Sequence, residues 1–207
     1  MLGNDEAPTR SAILQLREEH EVVLEAYDFL DEKRLLLAAE LLRQLGHYEE
    51  LLGQYNRVSE RAQQMLVATI RRHGLQGTQV YPGCYLMEAE LRTTARMFMG
   101  VKLLETELKL PAESGPGPIC QPSPEAEQCR REFLELVSLG AVLAGVAGNL
   151  HRLLAEYRKT QRRARALENV VIPEITHKLR DMSARLDEMD QEDVVRVHMQ
   201  APSRMRS

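Results

Sequence analysis

Residues 13–65 read ILQLREEHEVVLEAYDFLDEKRLLLAAELLRQLGHYEELLGQYNRVSERAQQM, and this stretch decides the fold. Its apolar residues recur in alternating steps of three and four: Ile13, Leu16, Val23, Tyr27, Leu30, Leu37, Leu41, Tyr48, Leu51, Tyr55, Val58, Ala62 and Met65. His20, Arg34 and Gln44 interrupt the same seam. Such spacing over about seven heptads is a coiled-coil pattern rather than a globular-helix pattern. Pro8-Thr9 marks the helix start, and no proline follows it before Arg72. At about 1.5 Å per residue, the predicted helix is roughly 90 Å long.

The C-terminal third repeats the pattern. Leu150, Leu153, Tyr157, Ala164, Leu167, Val171, Leu179, Met182, Leu186 and Met189 recur at threes and fours. A long helix cannot cover its own stripe. The economical solution is an antiparallel hairpin in which the two stripes face each other. With their ends level, Leu30 is expected beside His177. The charges agree with a pairing. Ile13 to Glu60 carries 11 acidic and 5 basic side chains, and His151 to Arg180 carries 8 basic and 3 acidic.

Between these helices the period breaks. Gly74, Gly77, Pro82, Gly83 and Gly100 punctuate the chain, followed by a Pro/Gly-rich loop over 111–118. Met97 to Leu110 alternates in part, with Met97, Met99, Val101 and Leu103 on one side. A short β element, in hairpin form, is expected there. The chain thus divides into an N-terminal helix (8–72), a central insert (73–123) and a C-terminal helix (124–200). Residues 1–7 and 201–207 are expected to be flexible ends. The fold class is mainly α: a long antiparallel two-helix coiled coil with a small central β-hairpin insert.

Composition narrows the function. The chain has 207 residues, room for one domain and at most a small second one. Hydrophobic residues make up 43%, which excludes wholesale disorder. Aromatic residues make up only 4%, with no tryptophan, which suits a thin helical seam better than a thick core. A net charge of -4 argues against general nucleic-acid binding. Cys84, Cys120 and Cys129 are too few and too scattered for a disulfide framework or zinc site. The acidic start, Met1 to Glu6, has no apolar core, so no signal peptide is expected. The run Leu136 to Leu150 falls short of the roughly 20 residues a spanning helix needs. No direct membrane insertion is therefore expected.

Several local features invite a chemical reading. Arg162, Arg163 and Arg165, with Arg158 and Lys159, form the densest basic run; its ordinary reading is a solvated helix face. Pro173 removes a backbone donor inside the helix and frees the carbonyl of Asn169, so a bend is expected. Glu174 and His177 form an E-x-x-H, but a di-iron bundle needs a second such motif, and none occurs. Gly140, Gly145 and Gly148 form a small-residue patch with no phosphate-loop lysine after it. Close packing against the insert or a partner is the better account. No arrangement of carboxylates, serine or cysteine reads as catalytic, and no cofactor or metal is expected.

Three motifs then point to a family. Arg162 to Pro173, RRARALENVVIP, resembles the R-R-V-N-A-L-E-x-V-V-I-P signature of the D subunits of the V-type and archaeal-type ATPases. Pro8-Thr9-Arg10 and Asp31-Glu32-Lys33-Arg34 are similar to that family's opening. Met99-Gly100-Val101-Lys102 resembles its central M-G-V-K-V-P. Ala164-Arg165 stands where the family has Val-Asn, and Leu103-Leu104 where it has Val-Pro.

The resemblance implies a non-catalytic rotor shaft in the central stalk of a proton- or sodium-translocating rotary ATPase. Its implied partners are the catalytic and nucleotide-binding head subunits, the small F subunit of the central stalk, and the C/d adaptor on the membrane ring. Its implied place is cytoplasmic and peripheral to the membrane. Head-ring contact falls on Arg162, Arg163 and Arg165, and partner contact by the insert on Met99, Gly100, Val101 and Lys102. Two readings from other classes compete: a stand-alone coiled-coil scaffold, and a metal-binding helical-bundle enzyme.

Overall fold

The computed structural model describes residues 9–81, 89–110 and 123–200. Helix α1 runs Arg10–Val80, with a non-helical Gly74 (φ 70°) inside it. Strands β1 (Glu90–Phe98) and β2 (Val101–Lys109) form one antiparallel hairpin. Helix α2 (Pro124–Ala166) continues through a π-helical turn, Leu167–Val171, into α3 (Ile172–Gln200). The fold is the expected one, two long helical stretches around a small hairpin. The prolines and glycines placed at 82–83 and 111–118, with Cys84 and Cys120, lie outside the described residues.

Thr9 caps α1: its Oγ1 accepts from the Ala12 N–H at 3.1 Å. Ser123 caps α2 in the same way, accepting from the Ala126 N–H at 3.2 Å. Pro124 follows at the first helical position, where its missing N–H is no loss. Glu125 and Glu127 then place negative charge on the positive end of the helix dipole.

The chain forms two compact units. One comprises residues up to Leu35 together with those from Arg158 on; the other comprises Leu36–Tyr157. In the first, Ile13, Ala164 and Ile175 are buried, and Leu16, Val23, Tyr27 and Leu30 are half-buried. Arg10 bonds Asp190 at 2.9 Å and His20 Nε2 lies 3.3 Å from Thr176 Oγ1, so the segments run antiparallel. In the second, Arg61 pairs with Glu132 at 3.2 Å and Arg72 with Glu125 at 2.7 Å, again antiparallel. The predicted seam residues are buried or half-buried, apart from Met189, which is 50% exposed.

The heptad spacing leaves the register of the pairing open, and the level-ended arrangement is not the one found. His177 does not meet Leu30. Its neighbour Thr176 meets His20, ten residues (about 15 Å) earlier along α1. The helix ends are not level, because Arg10 at the start of α1 already faces Asp190. The ion pairs just named also set arginines of α1 against carboxylates of the C-terminal helices. That is the reverse of the bulk charge balance, so these three pairs do not draw on it.

The β element also differs in detail. It starts at Glu90, earlier than the alternation indicated, and turns at Met99-Gly100. Both turn residues have positive φ, 47° and 83°, the type I′ requirement that matches strand twist. The turn separates Met97, which pairs Lys102 and is 68% exposed, from Val101 and Leu103, which are buried.

The C-terminal helix also contains an 18-residue window of mean hydropathy 1.7, long and apolar enough by composition to cross a membrane. That exceeds the shorter run read from the sequence. In the same helix, Gly140 lies against the Tyr55 ring of α1, 3.6 Å from where its Cβ would stand.

Met99 holds a left-handed conformation that asparagine and glycine adopt at less strain. Met99→Asn is expected to raise stability by about 0.5–1 kcal/mol, read as a shifted urea midpoint at unchanged slope.

Candidate functional site

The described residues bring their densest polar network together where the hairpin meets α1 and α2. Its centre is Glu40, only 7% exposed on the inward side of α1. The carboxylate accepts from Arg43 Nε at 2.8 Å and Nη2 at 2.6 Å, and from Gln44 Nε2 at 3.0 Å. It also accepts from Arg96 Nη2 of β1 at 2.7 Å. The bond from Arg43 chiefly holds the Glu40 carboxyl at about 2, against the upward push of burial, with Gln44 and Arg96 adding to the lowering. The same bond raises the Arg43 guanidinium further above its usual value.

Strand β2 is held on its other side by α2. Asn149, 4% exposed, accepts from the Leu104 N–H at 2.8 Å and donates to the Leu104 carbonyl at 2.7 Å. One side chain therefore completes both backbone groups of a strand residue, as another strand would. Two residues further along the strand, Thr106 Oγ1 donates to the Ala141 carbonyl at 2.9 Å. That approach needs Gly145: a Cβ there would stand 2.9 Å from Thr106 Cγ2 and 3.0 Å from its Cβ. The small-residue patch thus has two neighbours, Tyr55 at Gly140 and the hairpin at Gly145. Nearer the turn, Val101 and Leu103 join Leu37 and Leu153 in one core, with Phe98, Leu41 and Tyr157 against it.

The sequence-predicted site residues fall on different surfaces. Val101 faces the chain's own core, while Met99, Gly100 and Lys102 are exposed at the hairpin tip. Arg162, Arg163 and Arg165 are exposed on α2, and Ala164 between them is 1% exposed in the seam. Arg162 Nε donates to the Arg158 carbonyl at 3.3 Å. Exposed Pro173 follows the π-helical turn, in which the Ile172 N–H bonds the Leu167 carbonyl. Widening the turn fits a residue that has no N–H to offer the fourth residue back. Glu174 is exposed, and His177 Nδ1 lies 2.7 Å from Asp181 Oδ2, so the E-x-x-H pair does not converge. Cys129 is buried, and burial pushes its thiol up, which disfavours reactivity. Sequence reasoning missed Glu40 and Asn149, since nothing local distinguishes them from other polar residues on a helix.

Residues 12–200 match the family model that describes the D subunit of ATP synthase. The chain belongs to the ATP synthase D-subunit family. It is 24% identical over 191 residues to the V-type ATP synthase D subunit of Thermotoga neapolitana, covering 92% of this chain and 94% of that one. It is 29% identical to the A-type ATP synthase D subunit of Methanoregula boonei, covering 95% and 96%. To the A-type D subunit of Archaeoglobus fulgidus the figure is 28%, over 92% and 93%. Like those relatives, it is a central stalk component of the V/A-type ATP synthase, and the stand-alone scaffold is not favoured.

Membership gives the Leu103-Leu104 departure a physical meaning. The bond from the Leu104 N–H to Asn149 uses a donor that the proline of the family pattern does not possess.

Two variants test the docking. Gly145→Ala is expected to cost about 1–3 kcal/mol by displacing Thr106, and Gly145→Ala/Thr106→Ala to recover part of that loss. Hydrogen exchange at the Leu104 amide reads the change directly. Glu40→Gln is expected to cost about 1–3 kcal/mol by leaving Arg96 with a neutral partner. Because the folded carboxyl lies at about 2, below its ordinary 4.5, its contribution is full above pH 4.5 and lost as pH falls through 2. Urea titrations across that window should therefore show a flatter acid dependence in Glu40→Gln than in the wild type.

Proposed function

We propose that this protein is the non-catalytic rotating shaft of its complex, carrying torque between the ATP-processing head and the ion-translocating membrane ring. The observation that carries the reading is the antiparallel pairing within each unit, made by Arg10–Asp190 and His20–Thr176 in one and Arg61–Glu132 and Arg72–Glu125 in the other. Torque needs two helices that cannot turn independently, and pairs spread along the seam supply that restraint.

On this reading the N-terminal (8–72) and C-terminal (124–200) helices form the shaft, and the insert (73–123) forms the partner-binding part. Arg162, Arg163 and Arg165 make exchangeable contacts with acidic segments of the catalytic and nucleotide-binding head subunits. Exposed guanidiniums suit such contacts, because each exposed pair is worth only about 0.2–1 kcal/mol. Met99, Gly100 and Lys102 at the hairpin tip, shaped by Val101 beneath them, meet the small F subunit of the stalk or the C/d adaptor. Pro173 with the preceding π-helical turn sets a fixed bend near the basic run. The shaft works on the cytoplasmic side, peripheral to the membrane, and takes no part in bond making or breaking.

The test is co-purification of the tagged chain with its cognate head and stalk subunits, followed by native mass spectrometry. One copy per hexameric head is expected; a free dimer without head subunits overturns the reading. Arg162→Glu/Arg163→Glu/Arg165→Glu is expected to lower the ATPase rate of the assembled complex severalfold, and an unchanged rate removes those residues from the contact.

A further inference from the structure

The inward face of α1 up to Leu35 is accounted for by the seam. Its outward face is not polar throughout, as a solvated face would be. Leu14 is 58% exposed, Val22 63% and Phe29 62%. With 3.6 residues per turn, these three lie within an arc of about 80°, on the side opposite Ile13, Leu16 and His20. Exposed Glu18, Glu25 and Glu32 fall in the same arc, the first two between them and the third one turn beyond. The outer stripe therefore alternates apolar and acidic: Leu14, Glu18, Val22, Glu25, Phe29, Glu32. Single exposed apolar residues are ordinary, but an ordered stripe of them is not. Phe29 is one of only 3 phenylalanines in the chain, and it points outward.

We propose that this outer stripe of α1 is a docking seam for a helical segment of the head ring that bears apolar residues flanked by lysine or arginine. The inference rests on the shaft reading and deepens it. Charge selects the occupant. Residues 18–32 carry seven carboxylates and no lysine or arginine. An apolar segment with acidic flanks is repelled along this length, and so are an anionic lipid surface and a nucleic acid. A second copy laid face to face sets glutamate against glutamate. A basic amphipathic segment satisfies both components: its apolar side chains cover Leu14, Val22 and Phe29, while its cations meet Glu18, Glu25 and Glu32. The basic run Arg162–Arg165, on a different helix of the same unit, makes the opposite demand of its partner. The unit thus offers the ring two chemically distinct sides, which lets fixed ring positions distinguish one angular position of the shaft from another.

The experiment is capture of the full-length chain, with its cognate stalk partner, by the assembled head ring at low and high salt. Wild type is compared with Val22→Ser/Phe29→Ser and with Glu18→Lys/Glu25→Lys/Glu32→Lys. Because all five positions are exposed, circular dichroism and Tm are expected to stay at wild-type values. Each variant is expected to weaken capture about tenfold or more. Wild-type capture is expected to weaken with salt, and the lysine variant to lose that dependence. Wild-type affinity and salt dependence in both variants overturn the inference and leave the shaft reading intact. Failure of the wild type itself to be captured overturns the shaft reading and this inference together. A wild-type dimer that both variants abolish assigns the stripe to a second copy and overturns the head-ring occupant.

Discussion

Each of the two long helical stretches carries an apolar stripe that only the other can cover. The rest of the structure depends on this constraint. The stripe is narrow, with Ile13, Leu37, Leu51, Val58 and Ala62 buried on one side and Leu153, Ala164 and Ile175 on the other. Each buried leucine, isoleucine or valine among them contributes about 1.5–3 kcal/mol on full burial, and no thick core supplements them. Antiparallel pairing follows because the chain must return, and the pairs at His20–Thr176 and Arg72–Glu125 show it doing so in each unit. The ion pairs record the register more than they create the stability, since most involve exposed arginines.

A two-stranded hairpin is marginal alone, and this one is held by the helices on both sides. Apolar residues near its turn, Phe98, Val101 and Leu103, pack on Leu37 and Leu153. Beyond Leu103 the burial changes parity, and Leu104 and Thr106 turn to Asn149, Gly145 and Ala141. Glu40 ties β1, otherwise almost wholly exposed, to α1 through Arg96. A two-stranded insert keeps its place only if it is fixed to the helices. These buried polar bonds do so without adding aromatic bulk.

Legibility differed by element for physical reasons. The helices were plain because burial on one side forces a period, visible from Ile13 to Met65. β2 was legible because Val101 and Leu103 are buried. β1 was not, since a strand exposed along ELRTTARM has no apolar alternation to display. The turn at Met99-Gly100 was hidden because methionine is an unusual residue in a left-handed position. Gly145 was read correctly as a packing residue. Its neighbour Thr106 lies 39 positions away in sequence, and no local pattern connects them. The exposure of Arg162, Arg163 and Arg165 agrees with a solvated face.

The sequence by itself determined the helical period, the need for a second helix to cover the first, the hairpin's place between them and the family signature at Arg162–Pro173. These are short-range or compositional properties, carried by spacing of three and four residues. Only the tertiary structure decided the register that sets His20 rather than Leu30 beside Thr176. It alone decided the burial of Glu40 among two arginines and Gln44, and the use of Asn149 as a surrogate strand. Those outcomes depend on which side chains meet across a fold. A heptad pattern permits several registers of nearly equal apolar burial, and buried polar bonds between distant residues choose among them.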